Sequence, residues 1–146
     1  MWLYKEKTIN SIEDLPTNAF GFIYITTHVP TGKKYLGKKS LNHTLNKKLG
    51  KKELAAAPIT RGRTKSTKQV IKESDWKTYY GSNTFIKNEI KSGNQHDFTR
   101  VIIDIATDKK HLSYLENKYL FSYEVLESED WLNDNIQGRY FTEDFN

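Results

Sequence analysis

The chain has 146 residues, 36% of them hydrophobic and 13% aromatic, and a formal net charge of +5. That length suggests one domain, 1–146, with a modest core, and the apolar content excludes wholesale disorder. The absence of cysteine excludes a disulfide scaffold, a thiol nucleophile and any cysteine-based zinc site.

Residues 1–18 read as a short strand followed by a turn at SIEDLPTN, where Asp14, Pro16 and Asn18 supply turn chemistry. GFIYITT (21–27) is aromatic and β-branched, so it predicts a strand. Val29-Pro30-Thr31-Gly32 signals a turn, and KKYLGKK (33–39) a second strand, giving a β-hairpin. Residues 40–72 are dense in lysine and arginine and read as a basic, partly mobile insertion. Within it, LNKKLGKKELAAA suggests a partial helix broken at Gly50 and ended before Pro58. Thr84 to Ser92 predicts a short helix, with Ser82 or Asn83 as N-cap and Gly93 beyond its end. DFTRVIIDIA (97–106) predicts a strand whose centre, Val101-Ile102-Ile103, suggests burial on both faces. Thr107-Asp108 begins a helix to about Tyr123, with Leu112, Leu115, Tyr119, Leu120 and Tyr123 at amphipathic spacing. The order predicts an α+β fold: a small central, mostly antiparallel sheet, made of the N-terminal hairpin and the later strand, flanked by helices.

Among chemistry-bearing residues, Glu116 borders the apolar stripe of the last helix. A carboxylate there loses solvation unless a cation or hydrogen-bond donors meet it. A divalent metal satisfies it, and so does an ion pair with a lysine. Tyr24 and Tyr35 lie on adjacent strands of the hairpin, where phenols can orient or deprotonate a water or serve as ordinary packing. Lys38 and Lys39 follow directly. Lys47, Lys48, Arg61, Arg63, Lys65 and Lys77 offer phosphate contacts, which give affinity without sequence readout. A basic domain of this kind favours nucleic acid as partner. The four histidines show no ligand spacing and read as surface residues. There is no P-loop, dinucleotide fingerprint or G-x-S-x-G elbow. MWLYKEKTIN lacks a signal-peptide core, and no apolar run approaches the roughly 20 residues of a membrane span. A cytoplasmic protein without a membrane partner is therefore expected.

These pieces resemble one family. G-F-I-Y at 21–24 followed by Y-L-G at 35–37 looks like the hairpin of the GIY-YIG nucleases. Lys38-Lys39, ESDWKTYYGSN (73–83), HDFTRVII (96–103), YLENKYLF (114–121) and WLN (131–133) are similar to segments of small phage-encoded, homing-type members. The resemblance implies a metal-dependent endonuclease that hydrolyses phosphodiester bonds of double-stranded DNA in the host-cell cytoplasm. It implies that Glu116 holds a single divalent ion, Mg²⁺ or alternatively Mn²⁺. It also implies that Tyr24 or Tyr35 helps activate water and that Asn133 supports the site, Asn135 being the lesser candidate. The family's basic residue after the hairpin is usually arginine, but no arginine occurs between Tyr35 and Arg61, and position 45 is Leu45. Lys38, Lys39, Lys77, or Arg61 or Arg63 folding back, are the candidates for that role. A homing enzyme also needs DNA recognition, which the insertion, a homodimer or an auxiliary specificity partner would supply. The alternatives are a DNA-processing nuclease of low sequence specificity and a non-catalytic basic nucleic-acid-binding module.

Overall fold

The computed structural model describes residues 1–56 and 67–145, the Leu54 side chain excepted. In chain order the elements are β1 (Trp2–Tyr4), β2 (Lys7–Ile9), β3 (Gly21–His28), β4 (Lys33–Ser40), β5 (Asn42–Lys48), α1 (Lys51–Ala56), β6 (Thr67–Glu73), α2 (Thr84–Lys91), β7 (Phe98–Ala106), α3 (Lys109–Ser122), β8 (Asn135–Ile136) and β9 (Tyr140–Phe141). They separate into two compact units, one of residues 1–41 and 75–146 and the other of residues 42–74. No helix among the described residues is long and apolar enough to cross a membrane.

The larger unit is built on a mixed sheet in the order β2-β1-β7-β3-β4. β1 runs parallel to β7, and the other neighbours are antiparallel. The α+β architecture is the one expected. The N-terminus differs, because a second strand doubles back on the first through Lys5 and Glu6, whose φ angles are 48° and 67°. Two consecutive left-handed residues suit a tight hairpin turn, but glycine or asparagine usually marks it. In β7 the register shifts opposite Ile23 and Tyr24. Beyond such a bulge the alternation of faces changes phase. Val101 lies before it and remains 37% exposed, so the strand centre is not buried on both faces as expected.

Each face of the sheet has its own core. On one, Ile23, Leu36 and Ala106 meet Leu112, Leu115 and Leu120 of α3, with Val125, Leu126 and Ile136 behind. On the other, Trp2, Phe22, Tyr24 and Ile102 pack with Ile9, Leu15, Leu41 and Trp76. Asp108 caps α3 by accepting the His111 N–H at 2.7 Å, and Asn83 caps α2 by accepting the Ile86 N–H at 3.3 Å.

In the smaller unit β5 and β6 pair antiparallel from Asn42↔Glu73 to Lys48↔Thr67. Residues 42–48 are thus strand, and 45–48 replace the start of the helix expected there. The cause is cross-strand pairing of Thr44 and Leu45 with Ile71 and Val70, which overrides the weak helical preference of a lysine-rich stretch. The helix is confined to α1, where Lys68 reaches back to Glu53 at 2.7 Å. The expectations for residues 57–66 lie outside the described residues.

Candidate active site at the edge of the sheet

Successive residues of a strand point to opposite faces, and this decides what the hairpin can assemble. β4 is an edge strand of the sheet. Tyr24 stands opposite Gly37, and Tyr35 opposite Thr26, so both phenols lie on the Trp2–Trp76 face. Leu36 and Lys38 point to the α3 face. A cleft of about 370 Å³ wraps around this edge, lined by Tyr35, Ser82, Thr84, Glu116, Asp134 and Gln137 among others.

Glu116 comes from α3, one residue beyond the buried Leu115. Its Oε1 lies 3.6 Å from Lys38 Nζ, and that ammonium donates to Ser113 Oγ at 3.2 Å. Burial pushes the Glu116 carboxyl above its ordinary range, against the pull of Lys38. A carboxylate that costs free energy to ionise, and has one half-exposed lysine for company, suits a cation.

Tyr35 reaches Ser82, its Oη 2.6 Å from Oγ. Burial raises its phenol, with Ser82 pulling the other way. Tyr24 is deeper, 1% exposed among the rings of Trp2, Phe22, Tyr35 and Tyr79. Burial drives its phenol well above the usual tyrosine range. Its ring lies across Gly37, where an added Cβ would stand 2.5 Å from Tyr24 Oη and 2.8 Å from Cζ. Gly37→Ala must therefore push the Tyr24 ring aside in a packed core. It is expected to cost about 1–3 kcal/mol, read as a lowered Tm.

The open side of β4 is closed from the tail. Lys34 N–H donates to Asp130 O, and Leu132 N–H to Lys34 O, at 2.9 and 2.6 Å. Asn133 then completes the ladder with its side chain. Oδ1 accepts the Leu36 N–H at 3.0 Å, and Nδ2 donates to Leu36 O at 2.9 Å. The amide is 7% exposed and committed to the backbone between Tyr35 and Gly37. Asn135 instead accepts the Gly138 N–H in a local turn at 2.9 Å.

The family model described as "Putative endonuclease segE, GIY-YIG domain" matches residues 2–136. The chain belongs to the GIY-YIG endonucleases. Membership carries nuclease activity and DNA as the substrate class. Neither the curated proteins nor the solved structures gave a match.

Within this GIY-YIG domain the sequence-derived residues divide. Tyr35, Lys38, Glu116 and Asn133 meet at the β4 edge, with Tyr24 behind them. Lys39, one residue from Lys38, points to the opposite face, where its Nζ lies 2.5 Å from Asp75 and 4.0 Å above the Tyr79 ring. Lys77 lies over Trp76, 5.8 Å from the ring, and does not line the Glu116 cleft. Lys47 and Lys48 are exposed on β5 of the smaller unit, and Arg61, Arg63 and Lys65 fall outside the described residues.

Three residues at or behind the site were missed in the sequence. Ser82 and Ser113 hold Tyr35 and Lys38. Arg100 is buried between the rings of Trp2 and Tyr80 at 4.4 and 4.0 Å, and donates to the carbonyls of Lys77 and Tyr79. It fixes the segment that delivers Ser82. A lone arginine in the strand segment Phe-Thr-Arg-Val is the one signal that could have found it.

Proposed function

We propose that this domain is a divalent-metal-dependent endonuclease that cuts double-stranded DNA at the β4 edge, with Glu116 as the metal ligand. The observation that carries this is the convergence of a half-buried carboxylate and the Tyr35–Ser82 pair in one cleft, with Lys38 paired to that carboxylate. The cleft's side chains near Glu116 offer oxygen donors and no imidazole, which suits Mg²⁺ first and Mn²⁺ second. A divalent cation there would supply Lewis-acid polarisation of the scissile phosphate.

The chain's own groups do the rest. Lys38 neutralises charge developing on the phosphate oxygens, in the place where the family usually has arginine. Tyr35 remains a neutral phenol, because burial disfavours its anion, and with Ser82 it orients the attacking water. The water oxygen bonds to phosphorus and releases a proton to solvent as the ester P–O bond breaks, and the leaving alkoxide takes a proton from solvent. Tyr35→Phe is expected to lower kcat about 100-fold, with DNA affinity in EDTA unchanged. An equal fall in affinity would remove the water-orienting role.

The test of the whole reading is plasmid nicking in Mg²⁺, in Mn²⁺ and in EDTA. Cutting with either cation and none in EDTA supports it. Salt-sensitive binding without cutting under any cation identifies a non-catalytic binding module instead. The same reading extends to a phage-encoded, homing-type enzyme working in the host cytoplasm. Lys47 and Lys48, with Arg61, Arg63 and Lys65, would contact phosphates, and a homodimer or auxiliary partner would add specificity. Sequencing the cleaved ends decides this: one site supports homing, scattered ends a nuclease of low specificity.

A further inference from the structure

His28 sits at the end of β3 away from Gly21, four residues and so about 13 Å along the strand from Tyr24. It is not the surface residue expected from the sequence. It is 7% exposed, between the rings of Phe85 and Phe98 at 5.1 and 4.9 Å. Its Nδ1 lies 2.7 Å from Thr31 Oγ1, which leaves Nε2 without a hydrogen-bond partner among the described residues. One imidazole nitrogen of His28, one carboxylate oxygen of Glu89 and one of Asp97 all lie within 4.8 Å of one another. No hydrogen bond or ion pair joins these three among the described residues.

Two half-buried carboxylates this close repel each other unless a positive charge lies between them. The His28 ring is buried, and its second nitrogen is free to bind a ligand. A single cation would remove the repulsion and take the imidazole nitrogen as a ligand. We infer that His28, Glu89 and Asp97 form a zinc site separate from the Glu116 cleft, with water as the fourth ligand. One nitrogen and two carboxylate oxygens suit Zn²⁺, whereas Mg²⁺ prefers oxygen alone. A tetrahedral ion with bonds of about 2.0–2.2 Å sets its donors roughly 3.3 Å apart, which small side-chain rotations supply.

The surroundings are those of a ligand set. Thr31 holds the His28 ring through Nδ1, leaving Nε2 as the nitrogen for a ligand. Asn94 Nδ2 donates to Glu89 Oε2 at 2.8 Å, and the Asp97 carbonyl accepts the Val29 N–H at 2.9 Å. Partners of this kind orient metal ligands. The ion would tie the hairpin turn, α2 and residues 95–97 together. Because α2 begins at Asn83 and Thr84 beside the Glu116 cleft, it would also steady the end of α2 that meets the DNA-cutting site.

The experiment uses the Glu116→Gln protein, so that any ion held by Glu116 does not contribute. After chelation and dialysis, Co²⁺ is titrated and followed by visible ligand-field absorption, then displaced with Zn²⁺, and Tm is read with and without Zn²⁺. One equivalent of Co²⁺ with tetrahedral-type absorption, and a Zn²⁺-induced Tm rise of about 5 °C or more, are expected. Mg²⁺ should give neither. Adding Glu89→Gln, a half-buried change that leaves the core intact, should remove the absorption and the Tm rise, as should His28→Gln. An unchanged Zn²⁺ response in Glu89→Gln, or no Zn²⁺ response in the parent, overturns the site.

Discussion

Glu116→Gln is expected to lower Mg²⁺-dependent nicking about a thousandfold or more, while raising Tm. The loss follows from the proposed metal role, since glutamine keeps the shape but not the charge. The gain follows from burial. The folded carboxyl is raised above its unfolded value, so the folded state binds the proton more tightly. Its ionisation therefore opposes folding at every pH above the folded value. Replacing it with a neutral amide removes that opposition, and the half-exposed Lys38 pair given up in exchange contributes little. The difference in Tm should be largest near neutral pH. It should shrink as pH falls through the raised folded value, and vanish below the ordinary glutamate range. Activity lost together with stability at neutral pH would mean that Glu116 holds the fold and not a cation. DNA binding in EDTA should survive, because the neutralising contacts come from lysines and arginines.

Asn133→Ala is expected to be among the most damaging single changes to stability. It leaves the Leu36 N–H and C=O buried without partners, at about 1–3 kcal/mol each, and Tm should fall on the order of 10 °C. Asn133→Asp sharpens the test. It retains an acceptor for the Leu36 N–H but turns a second oxygen toward the Leu36 carbonyl, and it adds a buried charge. Its Tm deficit should be greatest at neutral pH and should ease in acid, where the carboxyl takes up a proton and can donate again. Asn135→Ala, which removes only local, exposed contacts to Gly138 and Asp134, should cost much less. Equal losses at 133 and 135 would show that the clamp on β4 does not matter.

Much of the fold is legible because local and tertiary preferences agree. β3 and β4 carry branched and aromatic residues around a Pro-Thr-Gly turn, and α3 has an aspartate cap and a leucine stripe. The β1–β2 hairpin was hidden because its strands are three residues long and its turn is Lys-Glu, without glycine or asparagine. The strand at 42–48 was hidden because its partner lies beyond residue 66, and nothing local announces the pairing. At the site, Glu116 was visible through its place on the stripe. Of its two explanations, the lysine partner is present as Lys38, and the metal ligand is the one proposed. The parting of Lys38 from Lys39 was available in the sequence, since neighbours on a strand face opposite ways. Treating them as one basic pair obscured it. Ser82 and Ser113 carried no such signal, because a serine is defined by what it touches.

The clamp on β4 also has a consequence in time. Leu36 and Asn133 are 97 residues apart, and the hairpin leaves the ribosome long before the amide that completes its edge. At the usual pace of about 5–20 residues per second, the outward N–H and C=O of Leu36 wait for seconds without their partner. The candidate cleft thus cannot be completed before Asn133 has been made, and a nascent chain that reaches only Glu116 lacks the amide that closes its edge.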